Sequence, residues 1–228
     1  MVDNFEQYER FLRECKLPEK INYKRNFETK YYVIEIMRRG KDNPALPAAN
    51  VHFKNYYIQS VEELHKYMPD IKKLCDVFRM RAYGSVNVKD TRNVMIDTAQ
   101  ELIRRVGCED FRKPWRIYES CSGKYLEKGG KDKKWIVDID DVLDGNGNVI
   151  DQDKIDRYIN VVTECSPYNN PIIETFKTRT GIHLITLPFN RYEYDKKAKE
   201  FNGTLEPADK VIKMNHLTLI YTYDEQYK

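Results

Sequence analysis

The chain lacks the features that mark membrane, disulfide-scaffold and several hydrolase proteins. No run approaches the roughly 18–20 apolar residues that a bilayer span needs, and the opening "MVDNFEQYERFLREC" is charged and amphipathic, without an apolar signal region. Five cysteines (Cys15, Cys75, Cys108, Cys121 and Cys165) are widely spaced and odd in number, with no CxxC pair. That pattern argues against zinc and redox motifs and predicts reduced, mostly buried thiols in a cytoplasmic protein with no membrane partner. There is no Gly-x-Ser-x-Gly elbow and no HExxH helix, which disfavours the hydrolases built on them. "CSGKYLEKGGKDKK" lacks the spacing of a GxxxxGK[ST] phosphate loop and reads as a flexible basic loop. Repeats, low-complexity linkers and composition breaks are absent too. One domain over residues 1–228 is expected, or an N-terminal subdomain 1–78 followed by a core 79–228.

What is present is a charged surface around an adequate core: 41% hydrophobic and 33% charged residues, with 17 tyrosines against 2 tryptophans. The net charge of +3 is too small to name a partner. Periodicity predicts a helix over 3–15 and strands over 30–39 and 51–60, separated by the Pro-rich 41–50. A helix capped by Ser60 and Glu63 follows, which Pro69 should kink or interrupt. Beyond a strand at 79–88, a helix at about 91–106 sets Met95, Ala99, Leu102, Ile103 and Val106 on one face, closed by Gly107. A strand at 135–140, a helix at about 151–165, paired strands in 172–189, a helix at 190–201 and a strand at 216–223 complete the chain. This order suggests a mixed α+β fold with an antiparallel component.

Two motifs carry chemistry. In "KWIVDIDDVLDGNGNVI" the strand period puts Asp138 and Asp140 on one side, opposite Val137 and Ile139. Two close carboxylates repel unless a cation lies between them, and Mg²⁺ or Mn²⁺ favours carboxylate oxygen; the bland alternative is a wet strand end. The following "DGNGN" fails the calcium-loop spacing and reads as a hairpin turn. In "FKTRTGIHLIT", Lys177, Arg179, Thr180 and His183 gather donors suited to phosphate, with Gly181 allowing a tight turn or close backbone approach. The alternative is a solvated basic hairpin. Together the motifs supply both halves of metal–triphosphate chemistry.

Val137-Asp138-Ile139-Asp140 and Thr180-Gly181-Ile182-His183 resemble the hDhD and [ST]-x-H elements of the archaeo-eukaryotic primase (primase–polymerase) superfamily, the second one residue wider than usual. "RRGKDNP", "WIVDID" and "TGIHLITLPF" resemble small phage-type primase-like proteins. The resemblance spans roughly residues 30–221, with two short specific blocks. It implies an α+β fold with a mixed, partly antiparallel sheet, an RRM-like catalytic core and flanking helices. It implies nucleotidyl transfer in DNA replication, in the host cytoplasm if phage-encoded. Mg²⁺ or Mn²⁺ would be held by Asp138 and Asp140, and triphosphate by Lys177, Arg179, Thr180 and His183. Single-stranded nucleic acid would lie along the basic segments 38–41 and 124–134. A third acid is expected before the last strand. Asp209 is one candidate for the metal site; the alternative register puts Val211 there, leaving a site competent to bind but weak or silent in catalysis. A catalytically inactive nucleic-acid- or partner-binding protein and a metal-dependent nuclease are the competing readings.

Overall fold

The computed structural model describes residues 1–21, 30–42, 50–124, 133–201, 205–214 and 217–223. Most of the 41–50 segment, and residues 125–132 of the expected nucleic-acid segment, lie outside these. The fold is mixed α+β with two antiparallel sheets. Among the described residues no helix is long and apolar enough to cross a membrane.

The first sheet is built from β1 (Lys30–Arg38), β2 (Val51–Ile58), β3 (Arg81–Ser85) and β9 (Leu217–Thr222), in the order β2-β1-β3-β9. A short β4 (Lys89–Asp90) adds to β1. Two helices cover one face, α1 (Phe5–Glu14) and α2 (Val61–Phe78). α1 buries Phe5, Tyr8, Phe11 and Leu12 at helical spacing. Ser60 caps α2 as predicted, its hydroxyl accepting from Glu63 N–H at 3.2 Å. Glu63 reaches back to the N–H of Gln59 rather than that of Ser60.

Pro69 does not interrupt α2, which runs unbroken through it. Leu64 on one side and Ile71 and Cys75 on the other enter the same core, and their burial outweighs a proline cost of about 3 kcal/mol.

The second sheet contains β5 (Trp135–Ile139), β6 (Ile172–Lys177), β7 (Ile182–Thr186) and β8 (Ile212–Lys213), in the order β6-β7-β5-β8. α5 (Gln152–Thr163) joins β5 to β6, while α6 (Arg191–Glu200) and the short α7 (Ala208–Val211) join β7 to β8. This is a β-α-β-β-α-β run in which β7 lies between the two strands of a split β-α-β unit. Trp135, Val137 and Ile139 pack with α5 and α6, whereas Ile136, Phe176 and Ile185 face the core around α1. The Asn4 side-chain amide joins the sheets, donating to the carbonyls of Lys177 and Leu219 at 2.8 Å each.

α3 (Thr91–Gly107) leaves the apolar face read from its spacing uncovered. Its one buried residue is Val94, which packs against Ile117 and Cys121 of α4 (Ile117–Lys124). Met95, Leu102, Ile103 and Val106 are exposed instead. Thr91, Thr98, Glu101 and Arg105 occupy the half-buried side. Periodicity located the apolar stripe, but the neighbour that covers a stripe is a tertiary fact.

Candidate active site

β5 ends at Ile139, and Asp140 follows immediately. Both carboxylates, Asp138 and Asp140, line a cavity of about 730 Å³ at the ends of the two sheets. The strand exit is pinned from one side by the turn after β6. The N–H groups of Val142 and Leu143 donate to the carbonyl of Thr180 at 2.9 and 2.8 Å. Gly181 N–H donates to the Thr178 hydroxyl at 2.9 Å. Gly181 is there for space: a Cβ at this position would stand 2.1 Å from the carbonyl oxygen of Ile139. That is the close backbone approach expected from sequence. Lys154 donates to the Asp140 carbonyl at 2.8 Å, and Asp141 has a left-handed backbone, φ 59°, which turns the chain away sharply.

The "DGNGN" segment is a turn, as read. Asp144 accepts from the N–H groups of Asn146 and Asn148 at 2.8 Å each. The hydrogen bonds from Asn148 hold the Asp144 pKa below its ordinary value. Its carboxylate is spent on its own turn, while Gly145, Asn146 and Gly147 form part of the cavity wall.

The expected phosphate set separates. Arg179 and Thr180 line the cavity. Lys177 reaches over the turn and donates to the Gly147 carbonyl at 3.0 Å. His183 sits directly across the ladder from Asp138. Its Nε2 is 3.3 Å from Asp138 Oδ1, and its Nδ1 is 3.1 Å from the hydroxyl of Thr218 on β9. His183 thus ties Asp138 to the first sheet and orients that carboxylate. Thr218 is fully buried, so the Thr–His–Asp series cannot present a nucleophile to a substrate. Asp209 is exposed on α7 and is not among the described residues of the cavity wall. The β5–β8 ladder pairs Val137 with Ile212; one step further toward Asp138 stands Val211, itself buried.

On the other half of the wall, sequence reasoning missed Asp42 and Arg81 and gave Arg39 only as part of the basic segment 38–41. Arg39 follows β1, Asp42 closes a 3₁₀ turn (Gly40–Asp42), and Arg81 opens β3; all three line the cavity. Arg39 donates to the Tyr83 hydroxyl at 3.1 Å. Arg81 is buried. Burial opposes its charge, but Tyr83 and Asp42 outweigh that and raise its pKa above the ordinary value. The field of the acidic pair also reaches through the sheet. The Tyr158 phenol is pushed up first by burial, a hydrogen bond from the Glu206 backbone N–H opposes this, and the charges of Glu206, Asp140 and Asp138 add to the rise.

As a metal seat, the pair fits an ion that keeps part of its hydration. Among the described residues no group of three His, Cys, Asp or Glu side chains comes together. Mg²⁺ commonly binds through one or two carboxylates, with substrate phosphates and water completing the shell. The chain matches no protein-family model, no curated protein and no solved structure, so the reading of the cleft rests on its own residues.

Proposed function

We propose that the chain is a metal-dependent nucleotidyltransferase of primase–polymerase type, acting on nucleoside triphosphates and a single-stranded nucleic acid. One observation carries the reading: Asp138 and Asp140 share a cavity wall with Arg39, Arg81 and Arg179. A ligand that brings a divalent cation and several phosphates satisfies both signs at once. The strand order of β5 to β8 supports an RRM-like core, with the acidic pair at the end of its first strand. When bound, Mg²⁺ or Mn²⁺ would neutralise developing phosphate charge and favour ionisation of an attacking hydroxyl. Asp138 and Asp140 would hold that ion, with His183 fixing the orientation of Asp138. Arg179 and Thr180 would position the phosphates, and Lys177 would hold the Gly147 turn against them. Template would enter along the basic segments 38–41 and 124–134.

A second reading, a binding protein with this site but without turnover, is favoured by the carboxylate count and by Val211 standing next in register to Asp138. The deciding experiment incubates the protein with labelled nucleotides, a primed single-stranded template and Mg²⁺ or Mn²⁺, and resolves the products on a gel. Extension lost in Asp138→Asn and kept in Asp209→Asn is the expected result. Shortened template would indicate a nuclease, and no product alongside retained triphosphate binding would indicate the binding protein.

A further inference from the structure

The cationic side of the cleft holds an arrangement that the acidic pair does not explain. Arg81 is only 5% exposed, and a guanidinium so buried needs a counter-ion. Asp42 supplies it, with Oδ1 2.5 Å from Arg81 Nη2. The same oxygen lies 3.7 Å from Arg179 Nη1, across the cleft on the turn between β6 and β7. One carboxylate therefore serves arginines from both sheets, touching the first closely and the second beyond hydrogen-bond reach.

The set is left incomplete. Among the described residues, the Nε groups of Arg39 and Arg81 and the Oδ2 of Asp42 are buried without a hydrogen-bond partner. All three residues line the one cavity. Buried polar groups are almost always paired, so unpaired ones on three residues of one cavity wall mark an arrangement that a ligand could rearrange and complete. Two arginine donors call for an anion. A single carboxylate, as Asp42 shows, meets one guanidinium closely and the second only at a distance, whereas tetrahedral phosphates present oxygens in diverging directions and several of them can reach forks on both sides.

We propose that Arg39, Arg81 and Arg179 form a polyphosphate clamp, and that Asp42 is its internal counter-ion, displaced when phosphate enters. Asp42 thereby offsets one of the three arginine charges while the clamp is empty. An entering anion must out-compete a carboxylate already in place, which selects polyphosphates over singly charged anions. This inference rests on the reading of the cleft as a phosphate site, and it is independent of the acidic metal pair.

The test is calorimetric titration with inorganic tripolyphosphate in chelator, so that no metal contributes. Asp42→Asn keeps the shape and removes the competing charge. It should bind tripolyphosphate roughly tenfold or more tightly than the wild type, the scale of one charge-assisted hydrogen bond. Adding Arg39→Ala should cancel the gain. Equal affinity in wild type and Asp42→Asn, or no binding by either, overturns the proposal. Should Asp42→Asn fail to fold, Arg39→Ala alone carries the test, since it leaves the Arg81–Asp42 pair in place. About tenfold weaker binding supports the clamp, and unchanged binding refutes it. A missing Asp42 effect beside intact Mn²⁺-dependent primer extension would refute the clamp and leave nucleotidyl transfer standing. The Asp42 effect without extension would do the reverse.

Discussion

Replacing Gly181 by alanine tests how the acidic pair is held. The added Cβ would lie 2.1 Å from the Ile139 carbonyl oxygen and 3.0 Å from the Asp140 Cα. Ordinary carbon–oxygen contacts begin at about 3.3 Å, so roughly an ångström of separation has to be found. The obstructing atoms are backbone, and no side-chain rotation relieves them. Either β5 or the 178–181 turn must move, and the two are joined by the Thr180 hydrogen bonds. Overpacking of this kind costs about 1–3 kcal/mol. For a chain of this size that lowers the melting temperature by roughly 2–12 °C. The displaced segment also carries Asp140, and misplacing a reacting group by about 1 Å can cost on the order of a hundredfold in rate. Thermal melting reads the first effect and the rate of Mn²⁺-dependent primer extension the second. Gly145→Ala is the control: it lines the same cavity, but its Cβ would meet nothing within 4 Å. Equal behaviour of the two variants, whether both are damaged or both silent, would refute the reasoning.

Glu35 is half-buried in β1, and burial, only partly offset by His52 and Lys89, raises its pKa above the ordinary 4.5. The folded state therefore binds this proton more tightly than the unfolded state, and ionisation weakens the fold as pH rises from about 4.5 through the folded pKa. The melting temperature of Glu35→Gln relative to wild type should thus climb between pH 4 and 7; a flat difference would contradict the assignment. Ile103, 73% exposed on α3, should accept Ile103→Lys with stability changed by no more than about 0.5 kcal/mol. A large loss in denaturant melts would return that face to the core.

Most of the elements were legible because each is specified locally. The α1 stripe, the Ser60 cap and the alternation of β5 are short-range patterns that the chain carries wherever it goes. α3 shows the limit of such patterns. Its heptad-like spacing is real, yet α4 meets the neighbouring flank through Val94, Ile117 and Cys121, and nothing local in residues 91–107 could say so. Pro69 shows a second limit, since propensity yields when the turns on both sides of a proline enter one core.

The candidate site divides along the same line. Asp138 and Asp140 could be read because two residues of one strand fix their own relation. The sequence shows the chemistry of His183 and Lys177 but not their neighbours: register sets His183 opposite Asp138, and the Lys177 ammonium donates to the carbonyl of Gly147, 30 residues away. Arg81 left a faint trace, a charged residue in a strand whose every position is buried. A buried arginine demands a partner, and the partner, Asp42, lies 39 residues earlier on a separate turn. Neither residue announces the pair, because each is ordinary in its own surroundings. Their meeting depends on β1 and β3 pairing with Met37 opposite Arg81, which brings the end of β1, and the turn after it, to the mouth of the cleft. The cationic half of the cleft is therefore a property of sheet register, and the acidic half a property of a single strand.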